Sequence, residues 1–165
     1  MEVQKRYYPF LVAVKDYGVN FLEYWCQDIT VAEKEVLINA SIDKLEIYGL
    51  YCFRIKGAFP ALTVYFRPMS LVKYLKCEVD ISPNVNDDSI KASINGEKSK
   101  ILTVNRVEEY GGEQNLQGFL MQISMPSKGR PEKDNFLDVQ VTDSDGHFGQ
   151  ASIFFLYFMS PSHPS

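Results

Sequence analysis

The sequence predicts an all-β chain: an antiparallel β-sandwich of about nine strands with at most one short helix. Three observations carry this. Short apolar runs, many of them alternating, are separated by Gly, Pro, Asn and Asp at intervals of roughly 8 to 15 residues. Aromatic residues make up 13 % of the chain, with eleven Phe and ten Tyr against one Trp, and such rings pack well on a pleated surface. Helical spacing of apolar residues occurs once, at Phe21, Leu22, Trp25, Cys26 and Ile29.

Length and composition set bounds. The chain has 165 residues, 45 % apolar and 23 % charged, a balance that supports a packed core and argues against disorder. One domain over 1–159 and a disordered tail over 160–165, rich in Pro and Ser, account for all of it. A net charge of −4 argues against nucleic-acid binding, which needs a basic face to displace counterions. No apolar run reaches the ~18 residues of a membrane helix, so no membrane insertion is expected. Lys5 and Arg6 precede a short apolar run, but Pro9 interrupts it and no small-x-small site follows. It reads as a first strand rather than a leader, which favours an intracellular or virion-associated protein.

Taken in order, Tyr8 to Val14 is the first strand and Gly18 with Asn20 a turn. Asn20 to Asp28 reads either as a short helix or as an extended edge. Thr30-Val31-Ala32-Glu33 has the form of a capping box, yet Val36, Ile38, Ala40 and Ile42 then alternate as a strand does. Leu45 to Lys56 is long for one strand, and Gly49 in its middle predicts a bulge. Ala61 to Arg67 and Leu71 to Ile81 are the next strands, the latter pointing Leu75, Cys77, Val79 and Ile81 inward. A polar loop over Pro83 to Asp88 leads to Ile90–Ile94, the Asn95-Gly96 turn and a return arm, Ile101 to Val107. Glu108 to Asn115 reads as a mobile acidic loop, Leu116 to Met125 as a strand, and Pro126 to Asp134 as a solvated connection.

The last hairpin organises the chain. Leu137, Val139 and Val141 alternate with Asp138, Gln140 and Thr142, Asp145-Gly146 turns, and Ile153 to Met159 is apolar on both faces. A strand apolar on both faces has to be covered twice. Val139, Val141, Asp143, Gly146, Ala151, Ile153 and Phe155 form a V-x-V-x-D-x-x-G run followed by small-x-apolar alternation. That pattern resembles the closing strands of bacterial and viral immunoglobulin-like domains over about 25 residues, and the resemblance implies an immunoglobulin-like or jelly-roll-like sandwich. The antibody framework is missing, since Trp25 directly precedes Cys26 and Tyr51 is adjacent to Cys52. Such domains serve mostly in adhesion, spacing and assembly, which is what the resemblance implies here.

Candidate chemistry is sparse. Asp143, Asp145 and His147 have the alternate spacing of a calcium loop but no closing Glu, and the carboxylates read as turn caps. Glu108, Glu109 and Glu113 lie beside glycines rather than on rigid strands, and Gly111-Gly112 lacks the Lys of a phosphate loop. Cys26, Cys52 and Cys77 fit no zinc pattern and read as buried free thiols, with a Cys26–Cys52 bridge open to an exported protein. Asn39-Ala40-Ser41 matches a glycosylation acceptor by chance inside a strand. No cofactor, metal or catalytic residue is assigned. Exposing Phe154, Leu156 and Phe158 would cost roughly 1.5 to 3 kcal/mol each relative to burial. The expectation is therefore a non-catalytic assembly or protein-interaction module, plausible in a virion, that buries these residues against a protein partner or another copy. The intramolecular alternative places the Phe21–Ile29 helix over them. A second class is a carbohydrate or small-ligand module stacking its ligand on Tyr24 and Trp25, and a third an enzyme using the acidic loop or the hairpin tip.

Overall fold

The computed structural model describes residues 7–30, 37–55, 61–110, 115–126 and 134–156. These form ten strands and one short helix: β1 (Tyr7–Val12), β2 (Tyr24–Thr30), β3 (Leu45–Phe53), β4 (Ala61–Ser70), α1 (Leu71–Leu75), β5 (Val85–Ile94), β6 (Glu97–Lys98), β7 (Ile101–Tyr110), β8 (Asn115–Ser124), β9 (Asp134–Asp143) and β10 (Phe148–Leu156). Two sheets stack as a sandwich, one in the order β1-β2-β10-β9-β5-β6 and the other β3-β4-β8-β7. All pairings are antiparallel except one: β2 runs parallel to β10, with Cys26 opposite Ser152. The expected sandwich is thus present with ten strands rather than nine, and its larger sheet is mixed.

The core lies between the sheets and follows from alternation. Leu137, Val139 and Val141 of β9, Ala151 and Ile153 of β10, and Ile90, Ala92 and Ile94 of β5 face Leu45, Ile47, Val64, Phe66, Phe119 and Met121 of the smaller sheet. Phe66 and Phe119 stack with centroids 5.3 Å apart. Gly49, at φ +59°, lies where the β3 register shifts between Tyr48 and Tyr51, the bulge its position predicts.

Several segments depart from the pattern in the sequence. The apolar spacing over Asn20–Asp28 belongs to a turn and to strand β2, not to a helix; β2 inserts beside β10 in the sheet instead of lying over it. The helix occurs instead at Leu71–Leu75, where a strand was expected. The Ser70 hydroxyl accepts the Lys73 N–H to start it, and Cys77, at φ +54°, turns the chain after it. Leu75, Cys77 and Val79 consequently point to solvent rather than inward. Residues 37–42, read as alternating strand, form none; the Ser41 N–H and the Asn39 carbonyl bond the Gln150 side chain of β10 instead. Asn95 and Gly96, both at positive φ, make the expected turn, but its return arm is only β6, and Ile101 already belongs to the other sheet. Residues 85–88 open β5 rather than forming a loop, and Glu108 to Tyr110 finish β7. The capping-box residues 31–33, Gly111, Gly112, Glu113 and Phe158 lie outside the described residues.

The sheets approach closely where β10 crosses β3. A Cβ on Gly149 would stand 2.8 Å from Leu45 Cβ and 3.1 Å from the Leu45 carbonyl. Gly149→Ala is expected to lower unfolding free energy by about 1–3 kcal/mol, measured by urea denaturation, because neither neighbour can retreat without moving a strand.

Candidate functional site

Alternation gives β10 two distinct faces. Ala151, Ile153 and Phe155 face the core, and Gln150, Ser152, Phe154 and Leu156 face outward. Phe154 and Leu156 are half-buried, and the Phe154 ring lies 5.0 Å from that of its cross-strand partner Phe136. Further along the same face a polar network is closed off from water. Asp138 Oδ1 accepts from Ser152 Oγ and Gln150 Nε2, both at 2.7 Å, and Oδ2 accepts from Gln140 Nε2 at 3.0 Å. The Tyr24 hydroxyl donates to Ser152 Oγ at 2.8 Å, and Gln150 Oε1 accepts the Ser41 N–H at 2.9 Å. Tyr24, Cys26 and Ser152 have no exposed surface. Burial, with Asp138 close by, pushes the Cys26 thiol up to about 12, so it stays a neutral thiol. Cys26, Cys52 and Cys77 are all free, Cys77 being exposed.

The opposite face of β2 carries a second cluster. Trp25 Nε1 donates to Glu46 Oε1 at 2.6 Å, and the Trp25 and Tyr48 rings lie 6.3 Å apart. Glu46 is wholly buried, and its Oε2 makes no hydrogen bond among the described residues. Desolvation pushes its carboxyl up to about 7; the Tyr48 hydroxyl and Trp25 indole favour the ionised form, and the Glu23 carboxylate opposes it. Burial also raises Tyr48 and Tyr17, both close to this carboxyl. Tyr24 faces away from Trp25, so the two do not form one stacking platform; Tyr48 takes that place. Neither Glu46 nor Tyr48 stands out in the sequence, because a Glu in an alternating strand reads as solvent-facing.

At the hairpin tip, ligand atoms of Asp143, Asp145 and His147 lie within 4.8 Å of one another. Asp143 uses them on the turn itself. Oδ1 accepts the N–H of Asp145 at 3.0 Å and of His147 at 2.8 Å, and Oδ2 lies 3.2 Å from His147 Nδ1. Of the acidic residues after Val107, Glu109 is held on β7 by Arg67 at 2.7 Å. Asn39 is exposed and outside any strand.

Exposed apolar surface concentrates early in the chain. Tyr8, Phe10, Leu11, Val14, Tyr17, Val19 and Phe21 are all exposed, Phe10 at 44 % and Val19 at 65 %. β1 is an edge strand, and the connection that follows it returns to β2, so these residues share one end of the larger sheet. No helix among the described residues is long and apolar enough to cross a membrane.

No family model, curated protein or solved structure matches this chain.

The raised Glu46 carboxyl makes stability pH-dependent with a definite sign. The folded protein holds this proton up to about pH 7, whereas the unfolded chain releases it near the ordinary 4.5. Its contribution is full below 4.5 and declines as pH rises towards 7. Glu46→Gln is expected to flatten unfolding free energy over that interval, and to remove any titration of Trp25 emission, the single indole being its direct donor.

Proposed function

We propose that the chain is a non-catalytic protein-interaction module of a larger assembly, a virion among the candidates, and that it docks a protein through the apolar end formed by β1 and the connection into β2. The observation that carries this is the run of exposed large apolar residues from Tyr8 to Phe21. Such a concentration is unusual on a surface meant to stay in water, and apolar patches of this kind mark association. Phe154 and Leu156, half-buried on the outer face two strands away, would extend the same surface. Docking here fits the immunoglobulin-like or jelly-roll-like character that the closing hairpin resembles, since such sandwiches commonly act by their surfaces. A second reading, a small-ligand module, is favoured by the Trp25–Tyr48 ring pair beside Glu46.

A Phe10→Glu/Val19→Glu variant separates the two readings. Both side chains are exposed, so the fold should survive, with a melting temperature within a few degrees of the parent. Proteins retained on the immobilised parent chain should be lost from the variant by tenfold or more. Equal retention by both would contradict docking at this end, and saturable quenching of Trp25 by an oligosaccharide, unchanged in the variant, would favour the ligand module.

A further inference from the structure

Among the described residues four strands end the two sheets, and β5 is open as well where β6 stops at Ser93, though it is bulged between Val85 and Ile90; three of the four ends are guarded by a break, a bulge or shortness. β1 is broken at Pro9, where its register with β2 shifts between Tyr8 and Phe10. β3 is bulged at Gly49, and β6 is two residues long. Prolines, bulges, short strands and charged or inward-pointing charged residues are the devices that keep sheet edges from pairing with other chains. Over Thr103–Tyr110 β7 has no Pro, bulge or shortening, and its only guards are the charges of Arg106, Glu108 and Glu109, which repel a chain that does not complement them. From Thr103 to Tyr110 its register with β8 is unbroken, it contains no Pro or Gly, and among the described residues no strand pairs with its outer edge.

The side chains on β7 select one occupant. Val104 and Arg106 lie opposite the core residues Met121 and Phe119, so Val104, Arg106 and Glu108 face the inner side of the sheet, and Asn105, Val107 and Glu109 the outer side. Two copies joined edge to edge about a two-fold axis normal to the sheet keep these faces together, so the axis passes midway between one β7 residue and its own copy. An axis at Arg106 sets Arg against Arg, and one at Glu108 sets Glu against Glu; like charges directly opposite are destabilising. An axis at Val107 instead sets Arg106 opposite Glu108 of the partner subunit twice, with Val107 against its own copy. The Arg106 guanidinium already bonds Asp87 at 2.9 Å and the Val85 carbonyl at 2.8 Å, and lies 5.3 Å from the Phe119 ring centroid, which fixes it at this rim. Its five donors can serve a second carboxylate as well.

We propose that β7 is a self-association edge: two copies pair β7 with β7, antiparallel about a two-fold axis at Val107, and join their four-stranded sheets into one of eight strands. This surface is separate from the apolar end around β1, so one can fail without the other.

The test uses the full chain with Cys77→Ser, which removes the exposed thiol and leaves the two buried ones. In that background Val107→Cys is expected to form a disulfide-linked dimer under mild oxidation, because its copy lies directly across the axis. Thr103→Cys, displaced from the axis, is not. By light scattering across a dilution series, Glu108→Arg should weaken the dimer about tenfold, and Arg106→Glu combined with Glu108→Arg should restore it. Trp25 emission, remote from β7, checks that each variant is folded. A chain that stays monomeric at high concentration and does not crosslink at Val107→Cys would overturn the proposal. Crosslinking at Thr103→Cys, or a dimer indifferent to Glu108→Arg, would overturn its register.

Discussion

The Asp138 carboxylate is the interaction on which the larger sheet depends. It lies on the outer face of β9, where a two-layer sandwich ordinarily meets water, yet it is buried, and three side chains donate to it. A buried carboxylate is tolerable only when its oxygens are fully engaged, and each donor belongs to a place the fold has to specify. Gln150 and Ser152 fix the register of β10 against β9. The Tyr24 hydroxyl on Ser152 fixes β2, the one parallel neighbour, against β10. Through Gln150 the network also reaches the Ser41 amide, tying residues 39–43 across the sheet before the chain enters β3. A parallel strand pair without a covering helix is uncommon, and this polar closure supplies the specificity that packing on the outer face does not.

Placing β2 and β1 beyond β10 has consequences for the rest of the surface. The larger sheet extends past β3, so Trp25 reaches that edge strand and meets Glu46 and Tyr48 there instead of entering the central core. Glu46 is buried with Oε2 making no hydrogen bond among the described residues, and desolvation raises its carboxyl well above the ordinary range. β1, furthest out, has no second layer assigned to it among the core residues, and its rings and those of the following connection remain exposed.

Much of this fold was legible in the residues. Alternation located β9, and apolar runs between breakers located β4 and β8; Asn95-Gly96 and Asp145-Gly146 located two turns; Gly49 located a bulge. The doubly apolar run from Ile153 leaves Phe154 and Leu156 half-buried on the outer face, while the start of β10 is closed there by polar groups. Gln150 and Ser152 carry that polar closure, and partners of theirs lie 111 and 128 residues away in sequence at Asn39 and Tyr24, where no local pattern links them. The helical spacing around Trp25 misled because a strand packed differently on its two faces, with Tyr24 and Cys26 outward and Trp25 turned towards β3, imitates a helical stripe. The alternation continuing through residues 37–42 misled for the opposite reason: the Ser41 N–H and the Asn39 carbonyl bond the Gln150 side chain rather than a neighbouring strand. The Glu46 cluster was illegible because burial of a carboxylate depends on an edge contact between sheets, which sequence spacing does not encode.

The central claim, that Asp138 holds β2, β10 and residues 39–43 in one arrangement, is tested most directly by amide hydrogen exchange on Asp138→Ala, read at Ser41. Removing the carboxylate takes the acceptor from two buried donors, Gln150 and Ser152, and from the half-buried Gln140, and should lower global stability by about 3 kcal/mol or more. Protection at the Ser41 amide should fall further than at amides of the β7–β8 ladder, which lies in the other sheet. Ser41 protection unchanged, together with a stability loss under about 0.5 kcal/mol, would contradict it.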